Sequence, residues 1–89
     1  MPCISMFYGL LIYMYWYDNN QHKTPHIHVN YQNYNAVFDI EKSILLSGKL
    51  PSNKQKMIEV WIDLHKEDLL ANWELAIKGS ELFRIDPLR

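Results

Sequence analysis

The sequence contains two short runs of alternating residues, HIHVNY at 26–31 and YNAVFDI at 34–40, and only a Gln-Asn pair separates them. Successive side chains of a β-strand point to opposite faces of the sheet, so alternation is typical of a half-buried strand. Since a two-residue loop is the simplest connection between antiparallel strands, the runs predict a β-hairpin. A slip of one residue would turn every side chain to the other face. The hairpin register therefore constrains the fold strongly.

The predicted register divides the hairpin into an apolar face and a polar face. The apolar face consists of Ile27, Val29, Tyr31, Tyr34, Ala36 and Phe38. On the polar face His28 lies opposite Val37, and His26 lies opposite Asp39. Directly opposite residues have Cβ atoms about 5 Å apart, so the His26 imidazole and the Asp39 carboxylate come within hydrogen-bond reach. We expect this His–Asp pair on the outward surface of the sheet.

The run LLIYMYWY at 10–17 alternates in the same way and predicts a further strand. One of its faces is purely apolar, and the other is a row rich in tyrosines. We expect the apolar face to pack on the core and the tyrosine row to line a groove, a rim or a partner surface. Tyr13 and Tyr15, together with Tyr31 of the hairpin, are the candidate binding residues, because tyrosine rings stack on or bond to a nucleotide.

A helical pattern follows Pro51, and Ser52 is the predicted N-cap. Two apolar stripes at helical spacing are Met57, Val60, Trp61 and Leu64, and then Leu69, Leu70, Trp73 and Ile77. The second stripe lies roughly half a turn around from the first, so one straight helix packed on one sheet cannot bury both. We therefore predict either a break near residues 65–68 that separates two helices, or one helix that different neighbours bury along its length. Gly79 is predicted to end the helical region as its C′ residue.

These elements predict an α+β fold in a single domain, residues 1–89. A small antiparallel sheet, built on 10–17 and the 26–40 hairpin, is expected to pack against a C-terminal helical region at 52–78. Further short strands, turns or extended segments are predicted at 4–8, 43–51 and 81–88.

The charge balance and the cysteine count exclude several broad classes of protein. A net charge of −1 argues against a general nucleic-acid or membrane-surface binder, which normally carries a basic excess. The single cysteine, Cys3, excludes an internal disulfide and fits a reducing cytosol. The uncharged opening stretch, residues 1–17, is shorter than the roughly 20 residues that a membrane-spanning helix needs. We therefore expect a cytoplasmic protein without a membrane segment.

Three of the four histidines, His22, His26 and His28, fall within seven positions. Residues at i and i+2 of a strand point the same way, about 6.5–7 Å apart, and two imidazoles at that spacing converge readily on one metal ion such as zinc. His22 is the candidate third ligand. Asp39 is then a fourth ligand or the acceptor that orients His26.

The same residues also support chemistry without a metal. Histidine titrates near neutral pH, so His26 paired with Asp39 is a candidate general base and His28 a candidate general acid, as RNA cleavage requires. A purely structural interpretation stays open as well, since histidines on a strand often bond only to water or to a neighbour.

Four stretches, PCISMFYGLLIYMY, HKTPHIHVNY, YNAVFDI and LLANWELAIKG, resemble a prokaryotic family still classed as a domain of unknown function, family number 4160. Together they extend over almost the whole chain. The second stretch is similar to the family pattern D-H-x-P-P-H-F-H-V, which places His22, His26 and His28 on its three histidines. Gln21 and Thr24 stand where the family usually has Asp and the first Pro.

The resemblance implies a small cytosolic protein that is often encoded beside another short protein, and some members are described as toxin components of toxin–antitoxin pairs. The leading hypothesis is therefore a toxin-like component that acts on RNA or on a translation component and has a small cognate partner protein. One alternative is a non-enzymatic interaction or antitoxin-like module, and another is a small metal-binding domain. The tyrosine row also makes a homodimer a candidate assembly. Whether the protein is an enzyme stays open.

Overall fold

A computed structural model of the protein describes residues 3–15 and 24–89. Its strands are β1 (Cys3–Phe7), β2 (Leu10–Tyr13), β3 (His26–Tyr31), β4 (Tyr34–Asp39) and β5 (Ile44–Gly48), and its helices are α1 (Ser52–Leu64) and α2 (Lys66–Ile77). The strands form one antiparallel sheet in the order β1-β2-β3-β4-β5. The predicted α+β fold is confirmed. Within the described ranges, no helix is long and apolar enough to cross a membrane.

The β3–β4 hairpin has the predicted register at every pair, from Tyr31 opposite Tyr34 to His26 opposite Asp39. Its two-residue loop begins at Gln32, whose φ is 52°. A positive φ is the backbone conformation that tight hairpin loops require, and it is costly for a residue with a Cβ atom. The alternating side chains and the loop length thus fix the register, whereas the loop residue itself is not optimal for the turn.

Replacing this loop residue, Gln32→Gly, is expected to stabilise the protein. Glycine adopts a positive φ without steric cost, and that gain exceeds its extra entropy in the unfolded chain. We expect the free energy of unfolding to rise by up to about 1 kcal/mol, measured by urea denaturation. A matched Asn33→Gly substitution should not stabilise, because Asn33 does not share the positive φ.

The sheet has an inner face that packs on the helices and an opposite, outer face that carries His28 and Asn30. Ile12, Val29 and Ala36 form one cross-strand row on the inner face and are buried. The predicted strand at 10–17 is shorter than expected: β2 ends at Tyr13, and residues 16 and 17 lie outside the described residues.

The helices bury different stripes from those predicted. In α1 the buried residues are Ile58, Trp61 and Ile62, whereas Val60 and Leu64 are exposed. Positions 58, 61 and 62 also share one side of a helix, and this side faces the sheet. In α2 the buried residues are Leu69, Asn72, Trp73 and Ala76, while Ile77 is exposed. The predicted stripes are therefore wrong in part. They name the buried tryptophans correctly but place several neighbours on the wrong side.

The break between the helices falls at His65, within the predicted region. Ser52 is not the N-cap. Pro51 occupies that position, and its carbonyl oxygen accepts hydrogen bonds from the backbone N–H groups of residues 54 and 55. Gly79 is confirmed as the C′ residue: its φ is 71°, its N–H donates to the Ala76 oxygen, and the next N–H donates to the Leu75 oxygen.

The C-terminal segment, residues 80–89, is extended and lies along the outer edge of β1. The Ile85 N–H donates to the Ile4 oxygen, and the Ser5 hydroxyl donates to the Ile85 oxygen at 2.9 Å. Trp61 Nε1 donates to the Asp86 oxygen at 2.8 Å. Residues 81–88 are thus an extended segment and not a further strand, and they lie against this edge of the sheet.

Candidate functional site

The outer face of the sheet carries an open pocket of about 340 Å³, here called the outer-face pocket. Its lining includes the side chains of Tyr13, Tyr15, His28, Asn30, Asn35 and Ser47. The strand registers explain this grouping. Tyr13 pairs with His28, and Asn30 pairs with Asn35, so alternate residues of three strands point to the same side. Two of the three candidate binding tyrosines and one candidate catalytic histidine thus lie together.

Tyr15 and His28 form a parallel stack in this pocket. Their ring centroids are 4.2 Å apart, and the planes differ by 9°. Tyr15 lies two residues beyond the end of β2, and its ring lies over the imidazole on the neighbouring strand. His28 is half-buried. The stack holds the imidazole plane in one orientation against the sheet.

His26 and Asp39 are paired as predicted, but both are buried rather than outward-facing. His26 is fully buried and Asp39 is 4% exposed. The ring of Trp73 covers His26, with centroids 4.9 Å apart, so a helix shields a position that strand alternation alone leaves open. The expected exposure of this pair is therefore wrong, although its register is right.

Hydrogen bonds to the main chain hold both members of this pair. His26 Nδ1 donates to the Thr24 carbonyl oxygen at 2.7 Å. A carboxylate oxygen of Asp39 accepts from the Lys42 backbone N–H at 2.6 Å. The His26 ring also meets the His28 ring edge-on, with centroids 5.1 Å apart. His26 consequently lies next to His28 and outside the lining of the pocket.

Tyr31 lies elsewhere. Its row on the sheet belongs to the inner face, and its ring stacks on Tyr34 at a centroid distance of 6.3 Å. The Lys54 ammonium lies 5.2 Å from the centroid of the Tyr31 ring, in cation–π range. The structure therefore does not bring Tyr31 together with Tyr13 and Tyr15.

The metal hypothesis gains no support from the described residues. Within residues 3–15 and 24–89, no group of three or more His, Cys, Asp or Glu side chains is placed to hold a metal ion. His22, the proposed third ligand, lies outside the described residues. His26 and His28 are close to each other, but two imidazoles are fewer ligands than zinc sites use.

One family model matches the chain, the family described as "Domain of unknown function (DUF4160)", and the match covers residues 9–74 of 89. The chain belongs to this family. Every lining residue of the outer-face pocket falls within the DUF4160 match, whereas β1 and the C-terminal segment lie outside it. The chain matches no curated protein and no solved structure. Because the DUF4160 description assigns no activity, the toxin role stays a prediction.

Sequence reasoning missed three polar residues of this DUF4160 pocket: Asn30, Asn35 and Ser47. Asn30 and Asn35 could have been predicted, because Asn30 is two residues after His28 on the same face and the hairpin register pairs it with Asn35. Ser47 could not, because its position depends on the β4–β5 register, which contains a bulge that the sequence does not signal.

Proposed function

We propose that this protein is the toxin-like component of a two-protein module and that it binds unpaired RNA in the outer-face pocket. The observation that carries this proposal is the grouping of two tyrosine rings, a half-buried imidazole and two side-chain amides on one open sheet face. Sheet faces that bear aromatic residues are a recurrent way of binding single-stranded RNA.

The pocket offers both components of base recognition. Its volume of about 340 Å³ is within the range of pockets that accept a small ligand such as a nucleobase. An aromatic ring stacks on any base, and the half-buried Tyr13 lines the pocket. The amides of Asn30 and Asn35 each carry a donor and an acceptor, which suits the edges of an unpaired base.

The charge of the protein limits how the RNA is held. With a net charge of −1, a broad electrostatic contact with the phosphate backbone is not available. Exposed Lys49, whose backbone N–H donates to the Asn35 oxygen, is a basic residue beside the pocket. We therefore propose recognition of a few bases with one phosphate contact, and a correspondingly weak dependence on salt.

Any proton transfer in this site would involve His28, because it is the histidine that lines the pocket. His26 and Asp39 are buried and do not line the pocket, so we propose that they position His28 and do not act as a base themselves. The edge-on contact between the two imidazoles lets His26 fix the orientation of His28. Cleavage of a bound RNA by His28 acting as acid or base is the reaction that this arrangement would support.

We expect Tyr13→Ala to weaken binding of a fluorescein-labelled single-stranded RNA of about ten nucleotides by about 5- to 150-fold, measured by fluorescence anisotropy. The loss of one stacking contact is the physical reason. Phe83→Ala is the matched control: it removes an aromatic side chain that is 70% exposed and remote from the pocket, and binding should not change. No measurable RNA binding by the unaltered protein, or equal losses in both variants, would overturn the proposal.

Two further readouts separate binding from reaction. Expression of the unaltered protein should slow growth, and His28→Ala should relieve that effect while Phe83→Ala does not. Purified protein should cleave the bound RNA, and His28→Ala should remove cleavage. Binding without cleavage would refute the catalytic role of His28, and normal growth would refute the toxin role.

The second candidate function is a non-enzymatic interaction module. It is favoured by four exposed acidic side chains near the junction of the helices and along α2: Asp63, Glu67, Asp68 and Glu74. Such a surface suits a basic partner protein. Under this alternative, partner binding should survive His28→Ala but weaken in a Glu67→Lys, Asp68→Lys double variant, as measured by calorimetry with the purified cognate partner.

A further inference from the structure

Asn30 and Asn35 form a pair of facing amides in the outer-face pocket. They are Cα partners in the β3–β4 hairpin, and both line the pocket, so their side chains lie next to each other on one face of the sheet. Directly opposite residues have Cβ atoms about 5 Å apart. Asn30 is half-buried and Asn35 is exposed. Within the described residues, neither amide bonds to another protein group, so both are available to a ligand.

The charge of the lining restricts the bases that this pocket can recognise. Among the described residues, the lining contains no arginine, lysine, aspartate or glutamate. Arginine and lysine are the side chains that commonly bind the two adjacent acceptors of guanine, and a carboxylate commonly accepts from the amino group of cytosine. A pocket with two amides favours a base whose edges each offer one donor and one acceptor, because an amide carries one of each.

Adenine is the base that fits two facing amides. Its exocyclic amino group donates two hydrogen bonds, and the ring nitrogen on either side of this group accepts one. The Watson–Crick edge and the Hoogsteen edge therefore each present a donor beside an acceptor. Cytosine and uracil present such a pair on the Watson–Crick edge alone. The Hoogsteen edge of guanine presents two acceptors, and the oxygen of an amide cannot donate to either.

We propose that Asn30 and Asn35 recognise an unpaired adenine in single-stranded RNA, with one amide on each edge of the base. This inference rests on the proposed function, since it names the base that the outer-face pocket takes. The two amide oxygens accept from the amino group of adenine, and the two amide nitrogens donate to its ring nitrogens. Tyr13 lines the same pocket and supplies a stacking surface. Stacking is common to all bases, so the selectivity comes from the asparagines.

Fluorescence anisotropy with four labelled RNAs tests this assignment. Each RNA is a uridine oligonucleotide of about ten residues whose central position carries adenosine, guanosine, cytidine or uridine. A two-bond contact between a side chain and a base discriminates by about 5- to 150-fold. With two such contacts, we expect the adenosine RNA to bind at least about tenfold more tightly than each of the other three.

Two adenosine analogues test the edges of the base separately on the unaltered protein. 7-Deazaadenosine lacks the ring acceptor of the Hoogsteen edge, and 1-deazaadenosine lacks the ring acceptor of the Watson–Crick edge. Each analogue removes the partner of one amide nitrogen, so each should weaken binding by about 2- to 13-fold when it replaces the central adenosine. A loss with one analogue alone would overturn the two-edge contact.

Variants of the two asparagines test the residues. Asn30→Ala and Asn35→Ala should each reduce the preference for adenosine by about 5-fold or more, while the all-uridine RNA binds each variant as it binds the unaltered protein. Asn53→Ala is the matched control, because Asn53 is exposed in the first turn of α1 and does not line the pocket. Tyr13→Ala should weaken binding of all four RNAs by a similar factor and leave the preference intact.

Far-UV circular dichroism verifies that each variant is folded. If Asn30→Ala is not, exposed Asn35 and the two analogues still decide the question. Equal binding of the four RNAs, or a preference for adenosine that survives both asparagine variants, would overturn the assignment and leave the RNA function intact. Failure of all four RNAs to bind would overturn the RNA function and this inference with it.

Discussion

Gly48→Ala is expected to destabilise the protein by about 3–5 kcal/mol, a large part of the stability of a small domain. Gly48 has a φ of 77°, which costs about 1–2 kcal/mol for any residue with a Cβ atom. A Cβ atom at this position would also overlap the Asn35 carbonyl oxygen and lie 2.9 Å from the Ala36 Cα. These are backbone atoms of β4, so relief of the clash requires the β4–β5 pairing to open.

Gly79→Ala separates the two contributions. Gly79 has a similar φ of 71°, but a Cβ atom there would meet no atom within 4 Å. We therefore expect a loss of only about 1–2 kcal/mol, from the backbone conformation alone. Urea denaturation of both variants at low micromolar concentration measures the difference. Equal losses would show that the close approach of β4 to Gly48 contributes nothing to the cost.

The contrast between these glycines shows that local signals in the sequence predict part of this fold, whereas contacts between distant residues are not predicted. The role of Gly79 is local, because a glycine directly after a helical pattern is a helix C-terminus signal. The role of Gly48 depends on its neighbour across the sheet. Its sequence context indicates the end of a short strand, and nothing local specifies that Asn35 lies against it.

The candidate site also has some features that the sequence predicts and others that depend on distant parts of the chain. The pairing of His26 with Asp39 was predictable, because a two-residue loop leaves one simple register for the hairpin. The burial of His26 was not, since it depends on Trp73 from a helix far along the chain. The stack of Tyr15 on His28 depends on the β2–β3 register, and the residues between those strands carry no signal that sets it.

The helix stripes were ambiguous for a related reason. Trp61 belongs both to the predicted stripe and to the observed one, and an apolar residue lies on either side of it, at 60 and at 62. Periodicity alone cannot choose between these neighbours, because the choice is made by the contour of the sheet. The burial of Asn72 could not be predicted from helical periodicity at all. Its amide is buried because it bonds to the backbone of the extended C-terminal segment, which periodicity does not reveal.

Asn72→Leu is expected to destabilise the protein by about 2–4 kcal/mol. Asn72 is 1% exposed, and its amide makes two bonds to one residue of the C-terminal segment. Nδ2 donates to the Phe83 oxygen at 2.7 Å, and Oδ1 accepts from the Phe83 N–H at 3.0 Å. Leucine has the same branching at Cγ, is somewhat larger and can make neither bond, so the segment that lies along the β1 edge is released more readily. Urea denaturation measures the loss.

Asn72→Asp makes the same contact dependent on pH. The introduced carboxyl can still accept from the Phe83 N–H, but its second oxygen faces the Phe83 carbonyl oxygen, which accepts only from a protonated carboxyl. Burial and this acceptor both favour the neutral form, so the pKa of the introduced group is raised in the folded state above its unfolded value of about 3.9. The folded state then binds more protons than the unfolded state between those two pKa values. The deficit relative to the unaltered protein therefore shrinks as pH falls through that interval and is largest at neutral pH.

Asn53→Asp is the matched control because Asn53 is exposed in the first turn of α1. There a carboxylate interacts favourably with the helix dipole, which lowers its pKa in the folded state, so its effect is stabilising at neutral pH and fades on acidification. The two variants thus have opposite pH slopes when unfolding free energies are compared at pH 4.5 and 7.5. A pH-independent deficit for Asn72→Asp would mean that the amide does not act through its paired bonds to Phe83.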